Sequence, residues 1–340
     1  MMKPSLIIML LLVAVRAAAQ VPAQNVLEPV GVQAVEIYQL WRLTLTICGV
    51  VFAAVLAAFL YSIWRAPHSS TQDAADVSSL AHPEPRLHRN VVIGVALSTI
   101  LLIVIIVADF MTDRRLARLP LKDAVQIEVS GHMWWWGGRY LDAEPSKLFD
   151  VANEFHVPVG RPVILKLSSS DVIHSFWAPS LHGKKDLIPG RESLLQFRVD
   201  KAGVYRGQCA EFCGFEHALM AFTVVAEPPA QYEAWAERQR ATAPEPLDDT
   251  QKRGQQVFMT RTCVMCHTIA GTTAGARLGP DLTHVASRSM LASGTVPNTP
   301  QHLASWIIDP QRLKPGANMP ATPLSADDLT ALTAYLETLK

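Results

Sequence analysis

The chain has no net charge: 30 Lys and Arg offset 30 Asp and Glu over 340 residues. Without a field of either sign, global attraction to nucleic acid or to a membrane surface is excluded as an organising force. Cysteine is scarce. There are five, and four of them fall in two short clusters, Cys209 with Cys213 and Cys263 with Cys266. That leaves no spread of pairable cysteines for the disulfide framework of a small secreted scaffold. None lies near the N-terminus, which speaks against a lipid-anchored start. Charge is missing altogether from two long runs, Leu43 to Trp64 and Val91 to Ala108. Between Pro120 and residue 228 there is no long helical repeat.

What is present is concentrated. Cys209-Ala210-Glu211-Phe212-Cys213 is followed by His217 and Met220, and His174 lies upstream in Asp171-Val172-Ile173-His174-Ser175-Phe176. Soft sulfur with imidazole selects copper, and a His/Cys/Met set is the recipe of a copper electron-transfer site. One Cys suffices for a mononuclear blue-copper centre; a second thiolate four residues on suits two sulfurs bridging two coppers. A Cys209–Cys213 disulfide competes in an oxidising compartment, but it leaves His217 and Met220 unexplained. Zinc competes as well, although a thioether is a poor ligand for it.

Cys263-Val264-Met265-Cys266-His267 has the form of a c-type haem attachment sequence, with His267 as proximal ligand. A bare CxxC redox pair is the competing reading. The motif occurs once, so one haem is expected. A thioether as sixth ligand raises the potential and suits electron transfer. Met319, in Pro315-Gly316-Ala317-Asn318-Met319-Pro320, is the candidate, with His284 as its competitor.

The rest of the chain supplies a frame for these sites. Lys3, an apolar run from Leu6 to Val15 and then Ala17-Ala18-Ala19 read as a signal peptide cleaved after Ala19, with a short anchor helix as the alternative. The two uncharged runs are long enough to cross a bilayer, and Trp41, Tyr61 and Trp64 flank the first where aromatic belts form. Cys48 in the first run is expected only to pack. Arg114, Arg115, Arg118 and Lys122 follow the second run, so positive-inside counting leans the wrong way. Orientation is set instead by the signal peptide and the haem motif, which put the C-terminal part outside the cytoplasm. After Pro120, Val125, Ile127 and Val129 alternate with polar residues, and 163–167, 194–199 and 222–225 are further strand candidates. Helices are expected over 230–240, 249–258 and 300–308, and Ser325 opens a last one whose Leu329, Leu332, Leu336 and Leu339 form one apolar face.

These motifs carry a family resemblance. Residues 30–226 resemble subunit II of haem-copper cytochrome c oxidases through Gly131-His132-Met133-Trp134-Trp135-Trp136, the His174 motif, Lys185-Asp186-Leu187-Ile188-Pro189-Gly190-Arg191 and the loop from Cys209 to Met220. Residues 250–340 resemble a class I cytochrome c fused to that subunit, as in caa3-type oxidases, through Gly279-Pro280, Lys314-Pro315-Gly316 and Asn318-Met319-Pro320. Gly254 and Phe258, facing Leu332, Tyr335 and Leu336, resemble the terminal-helix contact of that fold.

The resemblance implies a multidomain chain: a two-helix transmembrane hairpin, an all-β Greek-key cupredoxin-like domain and an all-α class I cytochrome c domain. The expected boundaries are 1–19 for the signal peptide, 20–122 for the two spans (about 43–64 and 91–110) with their loop, 123–226 for the CuA domain, 227–248 for a helical, Pro-containing linker and 249–340 for the cytochrome c domain. It implies a dinuclear CuA centre held by His174, Cys209, Cys213, His217 and Met220, with Glu211 lending its backbone carbonyl to one copper and its side chain to Mg2+ at the contact with subunit I. Haem c falls to Cys263, Cys266, His267 and Met319. Trp134 resembles the surface tryptophan through which electrons enter, against a packing role; Trp135 and Trp136 are expected to pack.

Two departures stand out. Met133 replaces a usual Gln, and Gly137 stands where an acidic residue is common, as expected if a tethered donor relaxes the need for an acidic docking surface. The implied function is electron transfer to subunit I for O2 reduction and proton translocation. The implied setting is the bacterial inner membrane, multi-pass, with both redox domains periplasmic. Subunit III and a cytochrome c or other periplasmic donor are further expected partners; nucleic acid is not. A subunit of a CuA-containing nitric oxide reductase and a stand-alone membrane-anchored carrier are the rival readings.

Overall fold

Uninterrupted aliphatic sequence satisfies its backbone hydrogen bonds internally by becoming helix. The computed structural model, which describes residues 24–66 and 85–340, has two such helices, α1 (Val32–Arg65) and α2 (Pro85–Leu116). The expected signal peptide and most of the loop between the two runs lie outside the described residues. Both helices are longer than the apolar runs at about 43–64 and 91–110. At 34 residues α1 is about 51 Å long, well beyond a hydrocarbon core of about 30 Å, so charged turns continue the helix outside it. Glu36 and Arg115 meet at 3.1 Å, joining the polar ends of the hairpin. Val50, Phe52, Phe59, Ile103 and Ile106 are exposed, bare aliphatic surface that suits lipid. Cys48 is exposed too, so the packing expected of it is not made within the described residues.

The strands follow from alternation. In β1 (Val125–His132), Val125, Ile127 and Val129 are buried and the residues between them are not. One sheet has the order β3-β2-β1-β5-β8, adding Trp135–Leu141 (β2), Phe149–Ala152 (β3), Pro162–Ser169 (β5) and Ser193–Arg198 (β8). The other runs β4-β10-β9-β6-β7, made of Glu154–Pro158 (β4), His174–Trp177 (β6), Lys185–Leu187 (β7), Gly203–Cys209 (β9) and Ala221–Glu227 (β10). β1 pairs parallel with β5, and β10 with β4. Ile127, Leu165, Leu167, Phe155, Phe197 and Phe222 fill the space between the sheets. The expected β sandwich is there, with its four anticipated strands and six more. Helix α3 (Pro229–Arg240) buries Tyr232, Trp235 and Ala236 against this same core, and Trp235 stacks on His156 at 4.2 Å. The segment after the last strand is therefore part of the sandwich and not a free spacer.

The C-terminal lobe is built on helix α4 (Asp249–Thr260), capped by the Asp248 side chain, and α7 (Ala326–Leu336), capped by Ser325 Oγ accepting from the Asp328 amide at 3.1 Å. Between them lie α5 (Pro300–Ile308) and the short α6 (Pro310–Leu313). A two-stranded hairpin, β11 (Met290–Leu291) and β12 (Val296–Pro297), interrupts the expected all-helical lobe. Helices α4 and α7 cross at Gly254, where a Cβ would fall 2.0 Å from the Ala331 carbonyl oxygen. Phe258, Leu332, Tyr335 and Leu336 pack around that crossing. Gly254→Ala must push the helices apart, so it is expected to destabilise the lobe by about 1–3 kcal/mol or more, read as a lower denaturation midpoint; an unchanged midpoint would contradict the close crossing.

The β11–β12 hairpin packs the lobe onto the sandwich. The Ala221 amide donates to the Ser293 carbonyl at 3.0 Å, and Ser293 Oγ returns a bond to the Ala221 carbonyl at 2.8 Å. Ser289 binds the Glu154 carboxylate through both its amide and its hydroxyl.

Candidate copper and haem sites

The copper-type donors gather because one β-hairpin and one neighbouring strand end at the same place. β9 runs into Cys209 and β10 leaves from Ala221, with the Cys209 amide bonded to the Met220 carbonyl at 2.9 Å. The loop between them carries Cys213 and His217. β6 lies against β9, with Phe176 opposite Cys209, so His174 starts its strand beside the loop. His174, Cys209 and Cys213 are buried and their donor atoms all lie within 4.8 Å of one another. Cys213 Sγ is the hub, 3.7 Å from Cys209 Sγ, 3.5 Å from His217 Nδ1 and 3.8 Å from Met220 Sδ. The Glu211 carbonyl is 3.2 Å from Cys209 Sγ. A sulfur separation of 3.7 Å is far beyond the bond length of about 2.05 Å in a disulfide, and both cysteines are free.

The charges of this cluster call for a cation. The contact with Cys213 lowers the pKa of the Cys209 thiol, while the same contact, with burial, raises that of Cys213. Two buried thiolates this close would repel each other, and a bound cation would stabilise both. Two thiolates, a thioether, two imidazoles and a carbonyl fit copper better than a hard ion or tetrahedral zinc. Asp171 orients the set: it accepts from His174 Nε2 at 2.8 Å, which leaves Nδ1 facing the sulfurs. Burial raises the Asp171 pKa, but bonds from His174 and from the Met133 and Val172 amides outweigh it and hold the carboxyl below its usual range.

The tryptophan triplet divides by environment. Trp136 is fully buried, edge-on to His174, Phe176 and Phe222, and forms a rigid wall behind the donors. Trp135 stacks on His132 at 4.2 Å. Trp134 is half-buried, and its Nε1–H donates to the Cys213 carbonyl at 2.9 Å. Gly131 lets the strand approach His174, whose Cδ2 would be 2.7 Å from a Cβ there. A Cβ at Gly137 would meet Ser130 Oγ at 2.6 Å, so a larger residue there requires Ser130 to move.

In the C-terminal lobe a cavity of about 880 Å³ is lined by Cys263, Cys266, His267 and Met319, with Phe258, Ile307 and Leu332 among its apolar walls. His267 Nδ1–H donates to the Pro280 carbonyl at 2.7 Å, which leaves Nε2 as the lone-pair donor. Burial lowers its pKa and so favours the neutral imidazole that a metal needs. His284 does not compete with Met319: its two ring nitrogens bond the Lys340 and Ala241 carbonyls, at 2.8 and 3.1 Å, and it does not line the cavity. Arg288 lines the cavity, donating through Nη2 to the Asp281 carbonyl, and burial lowers its pKa. An apolar slot with two thiols, an imidazole, a thioether and a guanidinium fits a flat macrocycle bearing carboxylates.

The cavity also reaches Met133 and Trp134 of the sandwich, and two residues that the sequence marked only as neighbours of Met319 close the gap there. Lys314, 3% exposed, sends its ammonium to the carbonyls of Trp134 at 2.7 Å and Leu219 at 2.8 Å. Burial pulls its pKa down to about 8, so it remains mainly charged at neutral pH. Asn318 Nδ2 donates to the Met133 carbonyl at 2.7 Å. Both contacts span more than 175 residues of chain, and nothing local announces them.

Residues 141–227 match the family described as cytochrome C oxidase subunit II, periplasmic domain, and residues 251–340 match cytochrome c. Cytochrome c oxidase subunit 2 of Alkalihalophilus pseudofirmus is 36% identical over 92% of this chain and 90% of its own length. The same subunit of Bacillus sp. strain PS3 is 32% identical over 74% of this chain and 75% of its own. Among solved structures, the periplasmic domain of subunit II of the Bradyrhizobium japonicum cytochrome oxidase is 28% identical, covering 36% of this chain and 97% of that one at a TM-score of 0.33. Identity sustained over nearly the whole length, hairpin and both lobes together, means that the chain belongs to the cytochrome c oxidase subunit 2 family.

Proposed function

We propose that this chain takes single electrons at a haem c on its C-terminal lobe, passes them to a dinuclear copper centre in its β sandwich and delivers them to a haem-copper subunit I. When bound, the two groups supply reversible one-electron chemistry. Cys263 and Cys266 would hold the haem through thioether bonds, with His267 Nε2 and the Met319 thioether as the iron's protein donors, a pairing that raises the potential. His174, Cys209, Cys213, His217, Met220 and the Glu211 carbonyl would hold the copper pair. The Glu211 carboxylate would hold Mg2+ where subunit I docks, since hard oxygen suits that ion. His174, Cys209, Cys213 and Met220 are all at most 2% exposed, so the donors have little room to move when the charge on the pair changes. O2 reduction and proton translocation fall to subunit I. The hairpin α1–α2 anchors both lobes on the periplasmic side of the bacterial inner membrane, with subunit III and a cytochrome c or other periplasmic donor as further partners.

One observation carries this reading: Trp134 borders the haem-type cavity on one side and bonds the Cys213 carbonyl on the other. Trp134 is thus the port from one site to the other. Metal analysis with optical and EPR spectra of the purified chain should give one haem c and two coppers. In the same preparation, Trp134→Phe should slow haem-to-copper transfer in a single turnover by about tenfold or more, as ångström-scale losses of positioning do. Unchanged transfer would remove the port, and zinc or a disulfide in place of the copper pair would overturn the reading itself. Turnover of the assembled complex with O2 and not nitric oxide separates it from a CuA-containing nitric oxide reductase.

A further inference from the structure

The loop that supplies Met319 is bonded directly to the turn that supplies Trp134, and it is bonded in two different ways. Lys314 is buried, and its ammonium meets the carbonyls of Trp134, Leu219 and, at 3.5 Å, Ala292. A buried ammonium is tolerable only with its donors satisfied, so this contact holds the two lobes in register. Asn318 is exposed, and its amide makes one bond, 2.7 Å to the Met133 carbonyl. Water replaces such a bond at little cost, so stability does not account for it.

Its place in the chain does. Asn318 is covalently next to Met319, and Met133 is next to Trp134, whose indole bonds the Cys213 carbonyl at 2.9 Å. From Met319 to Cys213 there is thus a run of covalent bonds broken by only two short hydrogen bonds. Electron tunnelling weakens far less along such a run than across empty space.

We propose that Asn318 is a positioning residue for transfer between the lobes, its amide coupling the Met319 loop to the Trp134 turn while Lys314 fixes the loop in place. This rests on the assignment of His267 and Met319 to the haem and of Cys213 to the copper pair. The step moves one electron: the haem is oxidised by one unit and the copper pair reduced by one, with no bond made or broken and no proton transferred. Ser293 offers the rival crossing, because its hydroxyl bonds the Ala221 carbonyl, next to Met220, at 2.8 Å.

The test uses the full holo-chain in its assembled complex. The haem is reduced by a flash, and its reoxidation by the copper pair is timed in wild type, Asn318→Ala, Asn318→Asp and Ser293→Ala. Asn318→Asp keeps the shape of the side chain and loses the N–H donor. Haem absorption, copper EPR and hydrogen exchange over residues 131–136 are recorded on the same samples.

Both Asn318 variants should slow transfer by about tenfold or more, with spectra and exchange as in wild type, while Ser293→Ala transfers normally. Wild-type rates in Asn318→Asp overturn the proposal. So does slowing accompanied by a changed haem spectrum or by faster exchange at 131–136, since either makes the role one of ligation or docking. Slowing by Ser293→Ala alone assigns the route to Ser293. If wild type itself shows no haem-to-copper transfer, it is the functional assignment that fails, and the two failures are told apart.

Discussion

Cys213→Ser is expected to destroy the copper pair while leaving the haem attached. Cys213 Sγ sits between the other three soft donors, at 3.5 Å from His217 Nδ1, 3.7 Å from Cys209 Sγ and 3.8 Å from Met220 Sδ. A serine hydroxyl is hard, stays protonated at neutral pH and cannot bridge two soft metals. Copper content should fall from a pair to at most a single ion per chain, and the EPR signature of a shared electron should vanish. The haem proposed for Cys263 and Cys266 in the other lobe should still form and still accept an electron, but pass it on only at background rate. Metal analysis, EPR and flash kinetics on one preparation check all three results. Retention of two coppers would show that Cys213 is not a bridging ligand.

Lys314→Met is expected to loosen the docking of the two lobes more than any other single change at their contact. It removes the donor that the Trp134 and Leu219 carbonyls share, and each buried acceptor so abandoned costs about 1–3 kcal/mol. Relief of the buried charge offsets part of this, because an ammonium is itself expensive to bury. A net loss of about 2–4 kcal/mol follows, the sum for two acceptors less that relief. It should appear as faster hydrogen exchange over 131–136 and 289–294 and as easier proteolysis in the segment 241–248. Lys314→Gln, which keeps two N–H donors on a shorter stem, should lie between. Wild-type exchange and proteolysis in Lys314→Met would mean that the β11–β12 hairpin alone holds the lobes together.

The fold was unevenly legible, for reasons visible in particular residues. β1 could be read because Val125, Ile127 and Val129 alternate cleanly with polar neighbours. β2 could not, because Trp135-Trp136-Gly137-Gly138 has no such alternation and its two glycines serve close contacts with Ser130 and Phe155. β6 was hidden by length, being four residues that are mostly buried on both faces. The spans ran past their apolar cores because a helix does not stop where hydrophobicity does; it continues until its hydrogen bonds end. His284, the competitor to Met319 in the sequence, has both ring nitrogens on backbone carbonyls, an environment that no local pattern announces.

The chain by itself determined its candidate donor atoms: two thiols, an imidazole and a thioether in one short loop, and Cys-x-x-Cys-His in another. Short covalent spacing confines such atoms to one neighbourhood whatever the rest of the fold does. Only the tertiary structure decided how the two neighbourhoods meet. The bonds from Lys314 and Asn318 to the Trp134 turn depend on packing between segments far apart in sequence. Such contacts are chosen by which surfaces bury together, and no local pattern of residues records that choice.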